Sequence, residues 1–140
     1  VKIYFAGAIR GGRGDRALYL ALVDELRRYG EVLTEHVASP ELDPIGESGS
    51  DAAIHDRDLA WLKEADYLVA EVTTPSLGVG YEIGRATEWN TPVLALFRPS
   101  EGKKLSAMIA GSNGVEAREY QEASDAAETI AQYFSVRGGV

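Results

Sequence analysis

The chain has 140 residues, enough for one sizeable core, and its lack of cysteine excludes disulfides, thiolate metal sites and a thiol nucleophile. It is 45% hydrophobic and 26% charged, a globular composition, and its net charge of −8 with no Lys/Arg stripe argues against binding a nucleic acid polymer. A nucleotide monomer remains compatible, because a single phosphate can be held by backbone N–H groups and one arginine.

The predicted elements alternate strand and helix, without an internal repeat. "KIYFA" (2–6) reads as a short buried strand ending at a glycine turn. "RALYLALVDELRRYG" (16–30) is amphipathic, with Leu18, Leu22 and Leu26 in register and Gly30 as the stop. A second strand, "VLTEHV" (32–37), leads into the Pro-, Gly- and Ser-rich loop 38–50, long enough to suggest a function. A helix over 51–65 follows, capped by Ser50 or Asp51, then a third strand, "DYLVAEV" (66–72). "TTPSLGVGYEIGRA" turns the chain into a helix from about Gly78 to Asn90, and "PVLALF" (92–97) is the fourth strand. Residues 98–114 form a loop with a short helix around Leu105 to Ile109. A weaker fifth strand (115–120) and a closing helix (122–135) complete the chain.

This alternation predicts a single α/β domain over 1–140. Its fold is a doubly wound, Rossmann-like (flavodoxin-like) five-stranded parallel sheet ordered 2-1-3-4-5. Ligands of such sheets bind beyond the carboxyl ends of the strands where the order reverses, which places residues 7–13 and 73–82 beside one cleft. No apolar run approaches the roughly 20 residues of a membrane span, and the opening "VKIYFAGA" lacks the long apolar region of a signal peptide. A soluble cytoplasmic protein is the expectation. With only His36 and His55, a structural zinc site is not expected.

Two acids interrupt apolar stripes. In the 51–65 helix the stripe runs Ile54, Asp58, Trp61, Leu62 and Ala65; in the 78–90 helix it runs Val79, Glu82, Ile83 and Ala86. A buried carboxylate needs a partner or a wet cleft. Two plainer readings stand beside this one: Glu82 as a first-turn acid favoured by the helix dipole, and Asp58 as the salt-bridge partner of Arg57 or a lysine. Tyr4, near the carboxyl end of the first strand, is placed to reach Glu82, or is simply a core tyrosine. The turn "GAIRGGRG" (7–14) offers N–H groups at Gly7, Ala8, Ile9, Gly11 and Gly12, with charge from Arg10 and Arg13. It is neither G-x-G-x-x-G nor a triphosphate P-loop, and a tight turn needing φ > 0 explains its glycines equally well. "PSLGVG" (75–80) provides a second hydroxyl-and-glycine helix entry.

Together, "YFAGAIRGGRGD", "VLTEHV", "IHDRDLAWLKEAD", "VAEVTTPSLGVGYEIGRA" and "LFRPSEGKKLSAMI" resemble the 2'-deoxynucleoside 5'-phosphate N-hydrolases of the nucleoside 2-deoxyribosyltransferase superfamily. The resemblance covers nearly the whole chain. It implies cleavage of a deoxynucleoside monophosphate to a free base and 2-deoxyribose 5-phosphate, without metal or cofactor. Glu82 matches the family nucleophile, Asp58 the second acid, Tyr4 the tyrosine beside the nucleophile, and His36 a histidine close to the base. Arg10, Ser76 and Gly78 match the phosphate pocket within the 7–13 turn and the 75–80 entry. Ser106, with Ala107 and Met108 beside it, matches a segment reaching the neighbouring subunit's phosphate, which implies a homodimer. Ala8 stands where the family's "GSIRGG" has a phosphate-facing serine, a lost hydroxyl contact worth about 0.5–3 kcal/mol.

Two other readings stay open on the sequence. The same glycosyl intermediate can pass to another base, as in a nucleoside 2-deoxyribosyltransferase. A non-catalytic nucleotide-binding module can use the same fold.

Overall fold

Five strands form one all-parallel sheet in the computed structural model, which describes residues 1–8, 13–33 and 50–137. In chain order the elements are β1 (Lys2–Gly7), α1 (Arg13–Leu26), β2 (Glu31–Leu33), α2 (Asp51–Glu64) and β3 (Tyr67–Glu71). They continue with α3 (Leu77–Glu88), β4 (Val93–Phe97), α4 (Ala107–Ala110), β5 (Val115–Glu119) and α5 (Ala123–Ser135). The strand order is β2-β1-β3-β4-β5, as the alternation predicts. The order reverses between β1 and β3, whose carboxyl ends lie side by side with Gly7 opposite Glu71.

Strands β1, β3 and β4 are buried on both faces, which is why they read as almost unbroken apolar runs. The period of two sorts their side chains. Ile3, Phe5, Val69, Leu94 and Leu96 pack in one core with residues of α1 and α5. Tyr4, Ala6, Leu68, Ala70 and Val93 pack in the other with residues of α2 and α3. Among the described residues β5 is an edge strand, paired with β4 and half exposed, which accounts for its weaker sequence pattern.

Several boundaries differ from those expected. α1 begins at Arg13 and ends at Leu26, before Gly30. Gly30 is required for another reason: a Cβ there would lie 2.4 Å from the Val1 carbonyl oxygen, so close approach rather than helix capping fixes the glycine. α3 starts at Leu77, and Asn90, at φ 61°, ends it in the left-handed conformation that asparagine tolerates. The short helix runs over Ala107–Ala110 rather than 105–109, with Ser106 as its cap. β2 is described only to Leu33; the remainder of that expected strand, with His36 and the loop to 49, lies outside the described residues. Among the described residues no helix is long and apolar enough to cross a membrane.

Candidate active site

Alternation along β1 turns Tyr4 toward the α2/α3 face, where its ring is 2% exposed. Its hydroxyl donates a hydrogen bond to the Glu82 carboxylate. Glu82 is the sixth residue of α3, so it lies beyond the first turn and the helix dipole does not account for it. Asp58, on α2, lines the same cavity of about 300 Å³, bounded by the end of β1, the N-terminal half of α2 and the first turns of α3. The interrupted stripes now have a structural reason. Leu62 of α2 and Ala65, which caps its C-terminus, cover the sheet, whereas Ile54 and Asp58, nearer the start of the helix, face the cavity. In α3 the residues flanking Glu82 in the stripe, Val79, Ile83 and Ala86, are buried.

Asp58 also forms the ion pair foreseen with Arg57, whose Nε and Nη2 both donate to Asp58 Oδ1 at 3.1 and 2.8 Å. The salt bridge and the cavity position therefore coexist. Burial pushes the Glu82 carboxyl up to about 7; the Tyr4 hydrogen bond pulls it down and the nearby Asp58 charge pushes it up. The Tyr4 phenol is raised well above its ordinary range, first by burial and then by the Glu82 charge and hydrogen bond, so it remains a donor at physiological pH. A half-desolvated carboxylate aimed into a cavity with a fixed phenol behind it is arranged to meet developing positive charge.

The expected phosphate end is described in part. Gly7 lines the cavity, and a Cβ there would lie 2.9 Å from the Tyr19 ring, so this glycine is fixed by close packing. Ala8 is buried, with its N–H donating to the Tyr19 hydroxyl at 3.2 Å. Ile9, Arg10, Gly11, Gly12 and the side chain of Arg13 lie outside the described residues. Ser76 caps α3, its Oγ accepting from the Val79 N–H at 3.3 Å, which leaves the hydroxyl proton available to an anion. Gly78 is in the first turn, where backbone N–H groups lack intrahelical partners, and both residues line the cavity. Ser106, Ala107 and Met108 are not brought to that cavity. Ser106 and Met108 line a separate groove of about 570 Å³, which also reaches Ser76 and Val79.

Two features were missed by sequence reasoning. Glu71, 2% exposed at the end of β3, accepts from the Thr73 N–H at 2.9 Å, the Thr73 hydroxyl at 2.8 Å and the Tyr120 hydroxyl. Thr73 Oγ1 in turn accepts from the Arg98 N–H at 2.9 Å. This network ties the β3–α3 connection, and hence the approach to Ser76 and Glu82, to the ends of β4 and β5. An acid closing the apolar run "YLVA" at the switch point was the available signal. The other missed feature is the pair His55 and Tyr81, both lining the cavity beside the acids.

The nucleoside 2-deoxyribosyltransferase family model matches residues 3–128. A mouse protein named 5-hydroxymethyl-dUMP N-hydrolase is 57% identical over 132 residues, covering 92% of this chain and 76% of its own length. A zebrafish (Danio rerio) protein of the same name is 49% identical over 138 residues, covering 96% of both chains. Among solved structures, a Clostridium botulinum CMP N-glycosidase superposes with a TM-score of 0.72 at 18% identity, over 95% of this chain and 99% of the other, a likeness of fold. By sequence, then, the cavity holding Tyr4, Asp58 and Glu82 lies in a chain that belongs to the nucleoside 2-deoxyribosyltransferase family.

Proposed function

We propose that this chain hydrolyses the N-glycosidic bond of 2'-deoxynucleoside 5'-monophosphates, with Glu82 as a carboxylate nucleophile. The observation that carries the reading is the Tyr4–Glu82 hydrogen bond beside Asp58 in one cavity at the switch point of the sheet. The relatives' shared name makes 5-hydroxymethyl-dUMP the first substrate to test. In the first step a Glu82 oxygen bonds to the anomeric carbon as the C–N bond breaks, and that electron pair leaves with the base. The base gains a proton from Asp58 or from water that Asp58 orients. In the second step water attacks the anomeric carbon, Asp58 takes its proton, and the Glu82 carboxylate is released with 2-deoxyribose 5-phosphate. Tyr4 stabilises the Glu82 anion before attack and on release.

The phosphate is assigned to the α3 N-terminus, where Ser76 and the first-turn N–H groups lie one to two helical turns before Glu82. The same proposal includes a homodimer. Leu77 and Met108, 96% and 83% exposed, flank the groove that holds Ser106, and this groove meets the cavity at Ser76. A partner seated there brings its own Ser106 segment toward the phosphate end. Ser106→Ala then weakens substrate binding, and mixing it with an excess of Glu82→Ala subunits restores one intact site of parental affinity per heterodimer; failure of rescue with dimers present would refute the shared site.

Chromatography of reactions with 5-hydroxymethyl-dUMP, dGMP and their nucleosides, each with and without adenine, tests the chemistry. The proposal expects free base and 2-deoxyribose 5-phosphate from the monophosphates, little from the nucleosides, and no new nucleoside when adenine is added. Deoxyadenosine formation would assign a transferase instead.

A further inference from the structure

His55 of α2 and Tyr81 of α3 bridge the two helices that carry the acids. His55 Nε2 and the Tyr81 hydroxyl are 2.8 Å apart, and the ring centroids are 5.6 Å apart. His55 lies one turn before Asp58, and Tyr81 adjoins Glu82. Arg85 Nη2 donates to the Tyr81 oxygen at 2.6 Å, and His55 Nδ1 lies 2.9 Å from Asp56 Oδ1. These contacts form a consistent chain: Arg85 donates to Tyr81, Tyr81 donates to Nε2, and Nδ1–H donates to Asp56.

Neither ring belongs to a core; Tyr81 is 46% exposed. The ordinary account of an exposed tyrosine is helix-surface packing, and Arg85, four residues on, does stack 5.1 Å from its ring centroid. That account leaves the contact with His55 on another helix unexplained, along with the place of both rings in the cavity wall. The three parts of a deoxynucleotide need different chemistry. Phosphate needs N–H groups, supplied at the start of α3, and the anomeric carbon needs a carboxylate, supplied by Glu82. A planar heterocycle needs an aromatic face and neutral hydrogen-bonding atoms at its edge.

On the reading that a deoxynucleotide is the substrate, we propose that His55 and Tyr81 are the base-recognition edge of the site. The Tyr81 ring packs against the base, and as the base enters, the Tyr81 O–H and His55 Nε2 exchange their mutual hydrogen bond for bonds to its exocyclic groups.

Calorimetric titration with dUMP, dCMP and 2-deoxyribose 5-phosphate tests this, using the full chain carrying Glu82→Ala, which leaves the nucleotides uncleaved, with and without Tyr81→Ala, Tyr81→Phe or His55→Ala. Tyr81→Ala is expected to weaken dUMP about ten-fold or more while 2-deoxyribose 5-phosphate, which lacks a base, changes less than about two-fold. Tyr81→Phe keeps the ring and should retain most of the affinity; both it and His55→Ala should shrink the difference between dUMP and dCMP. Equal weakening of all three ligands would show a structural role and overturn the proposal, as would unchanged dUMP binding in Tyr81→Ala. Binding is read independently of turnover. A parent protein that binds dUMP but releases base from neither 5-hydroxymethyl-dUMP nor dGMP would refute the hydrolase reading, while the same titrations still decide the role of the rings. A parent that binds none of the three ligands would overturn both.

Discussion

Replacing Tyr4 with phenylalanine removes one hydroxyl from a buried ring and leaves its packing volume intact. That hydroxyl donates to Glu82 and, among the described residues, is the contact that pulls the Glu82 carboxyl down toward its ordinary range. A hydrogen bond to a charged group contributes about 1.5–3 kcal/mol, which at about 1.4 kcal/mol per pH unit corresponds to about 1–2 units. Glu82, held at about 7 in the parent, should therefore titrate near 8–9, roughly, in Tyr4→Phe. The nucleophile is the ionised form, so activity is lost as pH falls through this value. At pH 7 the ionised fraction drops from about half to about 1–10%, and kcat/KM should fall about 5- to 50-fold. Above about pH 9.5 the variant should recover to within a few-fold of the parent. The assay is the pH profile of kcat/KM for base release. A uniform loss at every pH, with the acid limb unmoved, would refute the claim that Tyr4 acts by tuning Glu82.

The other predictions concern the acids and the network behind them. Glu82 has an ordinary value of 4.5 and a folded value of about 7, so between these the folded state holds a proton that the unfolded state has released. Stability falls as pH rises through that window, by up to about 3 kcal/mol. Glu82→Gln should be more stable than the parent by up to about that amount at pH 8 and show no advantage below about pH 4.5, read by urea denaturation; an advantage independent of pH would contradict the shift. Asp58→Asn should lower kcat about 10²- to 10⁴-fold and leave measurable turnover, because water can assist the base in leaving; a loss under about ten-fold would remove Asp58 from proton transfer. Tyr120→Phe takes one donor from the buried Glu71 carboxylate and should destabilise the fold by about 1–3 kcal/mol, a shift visible in the urea midpoint.

Element types and sheet order were legible in the sequence because β1, β3 and β4 are buried on both faces and the helices between them are amphipathic. Glu82 was legible because an acid beside Val79, Ile83 and Ala86 breaks a helical stripe, and breaks of that kind mark cavities. Asp58 showed how the same signal hides two causes: it both pairs with Arg57 and lines the cavity. The boundaries were read less well, since Gly30 looks like a helix stop but answers to the Val1 carbonyl across the fold. Glu71 was missed because its partners, Thr73 and Tyr120, include a residue 49 positions away, a contact that no local period encodes. Tyr81 and His55 fall on exposed helix positions, where sequence periodicity carries no information about a neighbouring helix.

The claim that Glu82 is the nucleophile is tested most directly by base release from 5-hydroxymethyl-dUMP at saturating substrate, comparing the parent with Glu82→Ala at matched folded content by circular dichroism. The account predicts that the parent liberates 5-hydroxymethyluracil and 2-deoxyribose 5-phosphate in equal amounts and that Glu82→Ala liberates neither above the uncatalysed rate. Release by folded Glu82→Ala within a few-fold of the parent would contradict it.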